Sequence, residues 1–414
     1  MEYCIYGLES LALNNLISSI AIVSEEYPPN IHGGVGTFCC SLASLLSKRK
    51  VFTSVFTGGS HKLQVERIND YLEIVRFPFL NLPPHHVWFQ LQNFSEICKR
   101  AADHSFSLVH SASPEVSPIG VYLKKKLDKP LVTSYHGYTS YEMKAFFEAP
   151  ISQASLQDFG FNVLEYPIYD VYNRISIAYS NRIVTCSHAI LNELRTVYRN
   201  LDLGKCSVIY NGVDLSEFDS MRQNKGLSRK TADYTIVFFG RWFWSKGIQY
   251  LLEAFKLVAN EYSSVQLRIC GKGPMEPKIR AFIARNGLAG SVRILGHVSR
   301  KQLLTELLDA DVVVLPSLRE AQPISVLEAM ACRKPVVVFD FPFVHEYIQN
   351  SFNGLLAKGK DSKDLANTIL TLLSDKNLRD KLGENAYRYV QLKHNWENIA
   401  DNYLNLYEKL IAAN

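Results

Sequence analysis

The chain has 414 residues, 47% hydrophobic and 21% charged, a folded protein's composition that excludes wholesale disorder. No run reaches the ~18–20 uninterrupted apolar residues of a membrane-spanning helix, and a net charge of +5 is too mild to argue for nucleic acid. At roughly 100–200 residues per domain, the length predicts two or three domains.

Near the start of the chain, Leu11 to Val23 is broken by Asn14, Asn15, Ser18 and Ser19, and the first 24 residues hold no Lys or Arg of the kind that opens a signal peptide. A cytoplasmic protein is expected. None of the eight cysteines forms a C-x-x-C pair, so buried reduced thiols are expected rather than a zinc site. Short β-branched runs then alternate with helical stretches. Strands are expected over 20–24, 52–57, 73–77, 108–110, 131–135, 182–186 and 207–210, with helices over 37–46, 94–102, 119–127, 171–179 and 189–198. The polar segment 211–234, with its charged run 222–230, interrupts the pattern. Strands resume over 235–239, 265–269, 292–295, 312–315 and 336–339, between helices over 248–260, 275–285, 301–308, 325–331 and 344–349. Beyond 361 the pattern is purely helical.

Continuous apolar strands separated by amphipathic helices imply parallel sheets covered on both faces. The expected fold class is α/β. A Rossmann-like domain spans 1–210, a linker 211–234, a second Rossmann-like domain 235–394, and a last helix over 395–414 crosses back to the first domain. Ligands of such sheets bind beyond the carboxyl ends of the strands, often between domains.

Four strand-to-helix turns stand out. The first places Gly33 and Gly34 before the first helix. Glycine there lets backbone approach a ligand, and a helix start offers N–H groups to an anion; a merely tight turn would look the same. In the second, His136-Gly137 follows the strand 131–135. This histidine either faces the interdomain gap or is satisfied by neighbouring backbone. The third, Arg241 to Gly247, puts two cations in one loop ahead of a helix. Arg supplies a planar fork of donors and Lys a point charge, a pair suited to a diphosphate. Trp242 and Trp244 argue against a fully solvated loop.

The fourth turn is the sharpest. Strand 312–315 ends at Pro316, a loop carries Glu320, and a helix begins near Pro323, whose missing N–H suits a first helical position. The N–H groups of Ile324 and Ser325 are then placed to hold a phosphate. Glu328 lies on that helix, eight residues after Glu320. The two carboxylates can contact two ends of one elongated ligand. Alternatively Glu328 pairs with a buried Arg or Lys, and Glu320 serves the helix dipole.

At these residues the sequence resembles the retaining, nucleotide-sugar-dependent glycosyltransferases of the GT-B architecture, in the large family numbered four. The likeness runs from about Ile20 to Ala412. Its most specific part is Glu320…Glu328 followed by Ala329-Met330-Ala331. Around it stand Arg241…Lys246-Gly247, Gly271-Lys272-Gly273-Pro274, Leu295-Gly296-His297-Val298, Asn211-Gly212-Val213-Asp214 and Trp396-Glu397-Asn398-Ile399-Ala400.

The resemblance implies two doubly wound domains facing across a deep cleft. Arg241 and Lys246 would hold the donor's diphosphate, Glu328 the ribose hydroxyls and Glu320 the transferred sugar. The helix start at Ile324 and Ser325 would cradle phosphate or sugar. The base would sit near Gly271 and Gly273, its edge read by the Val298 backbone. His136 would touch the sugar from the N-terminal domain, and Gly33 and Gly34 would approach the phosphate–sugar end. A hexose would pass, by same-face attack with retention, to a hydroxyl of a saccharide or lipid-linked glycan. Neither a cofactor nor a metal is implied. A nucleotide-sugar epimerase, a sugar phosphorylase and a non-catalytic nucleotide-sugar-binding protein are competing expectations. The last would have lost Arg241, Lys246 or Glu320, and none is lost. The runs Lys99-Arg100 and Lys124-Lys125-Lys126 either rest on anionic lipid, as a peripheral membrane contact on the cytoplasmic face, or are solvated helix faces. Six positions at four sites depart from the family's pattern: Gln322-Pro323 for Phe-Gly, Pro342-Phe343 for Gly-Gly, Arg333 for Gly, and Ala112 for His.

Overall fold

The computed structural model describes residues 17–30, 34–78, 80, 84–137, 166–223 and 232–413, in which the β-branched runs form two sheets. The first holds β1 (Ser19–Val23), β2 (Phe52–Ser60), β3 (Gln64–Asn69), β4 (Leu72–Pro78), β5 (Leu108–Ser111), β6 (Leu131–Tyr135), β7 (Arg182–Thr185) and β8 (Cys206–Val208), in the order β3-β4-β2-β1-β5-β6-β7-β8. The second holds β9 (Tyr234–Phe239), β10 (Val265–Cys270), β11 (Val292–Gly296), β12 (Val312–Val314), β13 (Val336–Asp340) and β14 (Leu355–Lys358), in the order β11-β10-β9-β12-β13-β14. The second sheet is parallel throughout. The first is parallel except where β3 runs antiparallel to β4. Central strands such as β1 and β12 are buried along their whole length, because helices cover both faces of a parallel sheet.

Helices α1 (Gly34–Lys48), α2 (His85–Ala102), α3 (Ser117–Leu127), α4 (Tyr166–Tyr179) and α5 (His188–Val197) belong to the first lobe. Then come α6 (Leu215–Gln223), α7 (Ile248–Glu261), α8 (Glu276–Arg285), α9 (Arg300–Asp309), α10 (Ile324–Ala331), α11 (Ser362–Ser374), α12 (Lys376–Lys393) and α13 (Trp396–Ala412). No helix among the described residues is long and apolar enough to cross a membrane.

Four elements differ from the sequence reading, and one of them is β14, where no strand was expected. Strand β3 was hidden by its polarity: Val65 and Ile68 stay exposed at this edge, so its pairing with β4 leaves no burial pattern. The stretch expected as a helix over 344–349 forms a 3-10 turn, Pro342–Glu346. Within the segment 211–234, α6 forms and buries Leu215 and Phe218 in the core of the second lobe.

The last helix α13 packs Trp396, Ile399, Tyr403 and Tyr407 into the first lobe's core beside α1. Its Tyr407 hydroxyl lies 2.6 Å from His110 Nδ1 on β5. The chain therefore crosses between lobes near Asn211 and again near His394. The two crossings are tied as neighbouring strands would be: Val213 N–H donates to His394 O at 2.8 Å and Trp396 N–H to Val213 O at 3.4 Å. A Cβ at Gly212 would sit 3.0 Å from His394 O, so glycine permits this close crossing.

Candidate active site

The carboxyl ends of β9, β10, β11 and β12 release turns that are laced to one another. Gly240 N–H donates to Cys270 O (3.1 Å), Trp242 N–H to Lys272 O (2.9 Å), Met275 N–H to Trp242 O (3.1 Å) and Gly271 N–H to Gly296 O (2.7 Å). Trp242 is fully buried, and its indole N–H reaches Cys270 O at 3.3 Å. A Cβ at Gly273 would stand 2.6 Å from Trp242 O, and one at Gly271 would stand 1.9 Å from Gly240 O. The missing side chains at Gly271 and Gly273 are thus already required by turn-on-turn packing.

Arg241 extends from this framework, exposed, with its guanidinium 5.1 Å from the Phe243 ring centroid. Lys246 closes the short turn Trp244–Lys246 and forms an ion pair with Glu320. Ser317 Oγ donates to Glu320 Oε1 at 2.8 Å. The two loops are also joined through backbone, by Leu318 N–H to Ser245 O at 2.7 Å. Gly247, at φ +70, could carry no Cβ because Pro316 O would lie 1.9 Å away. The loops that present Lys246 and Glu320 therefore form a single unit.

Helix α10 begins at Ile324, one residue ahead of the expected span 325–331, with Pro323 in extended conformation at the cap rather than at the first helical position. Val326 N–H closes back on Pro323 O at 3.1 Å. The N–H groups of Ile324 and Ser325 precede this first helical bond and stand outside the helical ladder. Glu328, one turn further on, pairs with Arg300, the first residue of α9. Arg300 also grips Glu217 of α6, Nε to Oε1 at 3.0 Å and Nη2 to Oε2 at 2.8 Å, and lies 5.1 Å from the Phe218 ring centroid. Burial pushes the Glu328 carboxyl above the usual range, and the Arg300 charge works against that rise. The sequence reading missed Arg300. A cation opening a helix opposes the macrodipole, which is a signal that carboxylates must stand nearby. Val298 lies half-buried two residues ahead of it, between Gly296 (φ +68) and Ser299, whose Oγ accepts the Gln302 N–H at 3.3 Å.

From the N-terminal lobe, His136 follows β6 with its ring centroid 3.9 Å from that of Phe38 and Nδ1 3.0 Å from Asn211 Oδ1. Burial pulls its pKa down to about 4, so the ring is neutral at pH 7. Gly34 opens α1, and a Cβ there would meet nothing within 4 Å; Gly33 lies outside the described residues. The start of α1 is less open to an anion than its sequence implies. Glu26 Oε2 accepts the Gly36 N–H at 3.3 Å.

The lobes meet at the residues that follow Glu320. Ser187 Oγ donates to Ala321 O at 2.7 Å. Asn211 N–H donates to Gln322 Oε1 at 2.7 Å, and Gln322 Nε2 returns a bond to Asn211 O at 3.2 Å. Glu346 accepts the N–H groups of His188 (2.8 Å) and Ala189 (2.7 Å) at the start of α5. Contacts thus run continuously from His136 through Asn211 and Gln322 to the loop of Glu320 and Lys246, whereas Glu328 is anchored separately through Arg300. Gln322, one of the departures noted above, uses its amide on the interlobe crossing. Arg333, another, has φ 56 but stacks 3.6 Å from the Tyr387 ring centroid and pairs with Glu384. Two of the three lysines on α3 are engaged by backbone: Lys124 Nζ donates to Tyr179 O (2.8 Å) and Lys126 Nζ to Cys98 O (3.1 Å).

Known proteins resemble this chain in sequence and in fold. The family described as Glycosyl transferases group 1 matches residues 219–389, and Glycosyltransferase Family 4 matches residues 32–217. An uncharacterised glycosyltransferase of Methanocaldococcus jannaschii is 28% identical over 406 residues, spanning 94% of this chain and 97% of its own. The N,N'-diacetylbacillosaminyl-diphospho-undecaprenol alpha-1,3-N-acetylgalactosaminyltransferase of Campylobacter jejuni is 27% identical over 336 residues, spanning 78% of this chain and 82% of its own. Among solved structures, sucrose-phosphate synthase from Thermosynechococcus elongatus superposes with a TM-score of 0.78 at 21% identity, covering 96% of this chain and 100% of its own.

Proposed function

The chain belongs to the group 1, family 4 glycosyltransferases and has the GT-B fold, and from that premise we propose that it transfers a hexose from a nucleotide-diphosphate sugar, with retention, to a hydroxyl of a saccharide or lipid-linked saccharide. The observation that carries this reading is the Lys246–Glu320 ion pair, which joins the turn that also carries Arg241 to the loop ahead of the α10 start. Cation, carboxylate and helix N-terminus are assembled before any ligand arrives.

The chemistry follows from where charge moves. Breaking the bond between the anomeric carbon and the diphosphate oxygen leaves negative charge on the phosphate and positive character on the carbon. Arg241, Lys246 and the N–H groups of Ile324 and Ser325 act on the first, as preorganised donors do where charge develops. On donor binding Lys246 exchanges Glu320 for phosphate. Glu320 is then free to accept a hydroxyl hydrogen from the sugar, while Glu328, held by Arg300, takes the ribose. Gly271, Gly273 and Val298 border the base, and Gly34 lets the α1 backbone come near the sugar–phosphate end. The acceptor hydroxyl attacks on the face the leaving group vacates and gives its proton to the departing phosphate oxygen. The C. jejuni relative's name specifies an undecaprenol-linked acceptor, which supports including lipid-linked glycans in the acceptor class.

The test is direct. The protein is incubated with uridine, guanosine and adenosine diphosphate hexoses and a panel of glycan acceptors, and the product's anomeric proton is followed by NMR. The expected product keeps the donor's anomeric configuration. An inverted product, or nucleotide-sugar converted without acceptor, contradicts the reading.

A further inference from the structure

Asn211 is fixed by its main chain. Gln322, only 7% exposed, places its amide along the Asn211 peptide groups, Oε1 on the N–H at 2.7 Å and Nε2 on the C=O at 3.2 Å. A side-chain amide thereby copies one rung of a β-ladder. His394, fully buried, sets its Nδ1 3.2 Å from the same carbonyl. With both backbone groups held, the Asn211 side chain is directed at His136, where Oδ1 stands 3.0 Å from Nδ1.

An amide oxygen only accepts, so the facing imidazole nitrogen must carry the proton. The other nitrogen, Nε2, is then a bare lone pair. It is a buried atom with no hydrogen-bond partner among the described residues. Phe38 covers the ring, and Phe38 is itself 5.9 Å from Trp396 at the second crossing. The imidazole is thus oriented from the junction.

We propose that Gln322 and Asn211 are positioning residues that fix His136 as its Nδ1–H tautomer, so that Nε2 accepts a hydrogen bond from a hydroxyl of the transferred sugar. The sugar half of this rests on the reading of the cleft as a glycosyltransferase site. It names a chemical class. A neutral hexose or acetamido sugar with a free hydroxyl at that point is accepted. A deoxy sugar leaves a buried lone pair unpaired, and a uronic carboxylate meets a second acceptor; a site built around a hydroxyl rejects such analogues strongly. The proposal also gives Gln322 a purpose at a position where the family often has Phe.

The test reads the tautomer first. The protein is labelled with 15N in its histidine imidazoles, and long-range 1H–15N correlations are recorded at pH 8. The His136 signal is assigned by its loss in His136→Gln. The expected wild-type pattern is a protonated Nδ1 and a bare Nε2, retained in Asn211→Asp, which keeps an acceptor oxygen. In Asn211→Leu and Gln322→Leu the pattern shifts toward the Nε2–H form. Turnover in Asn211→Leu falls by about 10²-fold, as misplaced contacts do, with donor KM changed by less than about threefold; Asn211→Asp recovers most of it. A protonated Nε2 in the wild-type protein, or a tautomer unmoved in both leucine variants, overturns the proposal. The wild-type spectrum decides even if a leucine variant fails to fold. A bare Nε2 with no transfer from any nucleotide-sugar upholds the Asn211 relay and overturns the transferase reading.

Discussion

In the C-terminal lobe, Lys246 is held by Glu320, Glu328 by Arg300, and Arg300 by Glu217. Lys246 and Glu320 ride on turns of the neighbouring parallel strands β9 and β12, whose backbones bond to one another, while Glu328, Arg300 and Glu217 stand on α10, α9 and α6. In the N-terminal lobe, His136 stands at the end of one strand and takes its orientation from Asn211 in the crossing segment. The charged half of the cleft is therefore preassembled within one lobe, while the other half depends on the junction. Preorganised charge belongs where the leaving group develops its own, because reorganising it during reaction would cost rate. The neutral contact is set instead through the crossing segment, by Asn211.

This contrast is open to breaking. The largest effect is expected at Lys246: Lys246→Ala should lower turnover by ~10²–10³-fold with the fold intact, measured by steady-state release of nucleoside diphosphate. Turnover near wild type would remove the charged half of the account. Next comes Arg300. Replacing it with leucine strands two carboxylates, one of them mostly buried. After allowance for the partial exposure of the arginine, a loss of about 2 kcal/mol is expected in urea unfolding. Adding Glu328→Gln should recover part of that loss. Unchanged stability in Arg300→Leu would show that the anchorage of Glu328 is incidental.

The third effect is acid sensitivity, which the contrast places in the N-terminal lobe and the junction. Burial lowers His110 to about 3, and His86 and His394 to about 4. The unfolded chain takes up these protons near pH 6.5 while the folded one does not. Stability is therefore full above pH 6.5 and falls as pH drops toward 4, by about 1.4 kcal/mol per histidine per pH unit. Denaturant melts at pH 7 and pH 5 measure the slope; a flat or inverted slope contradicts it. The smallest and sharpest effect compares two glycines. Gly273→Ala forces a Cβ into the Trp242 backbone and should cost about 1–3 kcal/mol. Gly34→Ala meets open space, so stability should hold within about 0.5 kcal/mol while turnover falls. Equal behaviour of the two would erase the distinction between packing and ligand glycines.

The same contrast explains what could be read from the chain. Arg241, Lys246, Glu320, Ile324, Ser325 and Glu328 lie in two short windows at strand ends, so spacing alone brought them to attention. The parallel order of the sheets was equally legible, because buried strands are continuous apolar runs. Arg300 and Glu217 escaped notice because their partners lie in other elements. Gln322 stands out in the sequence only as a departure from the family's pattern; the three-dimensional crossing shows its amide on Asn211. Strand β3 left no trace because an exposed edge strand pairs through backbone.

We propose Lys246, with Arg241 and the α10 start, as a diphosphate site. Calorimetric titration of uridine, guanosine and adenosine diphosphates, each beside its bare nucleoside, into wild type and Lys246→Ala decides it. At least one diphosphate should bind the wild-type protein, lose about tenfold or more in affinity in the variant, as removal of a charge-assisted contact does, and outbind its nucleoside only when Lys246 is present. Equal affinity of that diphosphate for both proteins, or no binding by any of the three, would contradict the claim.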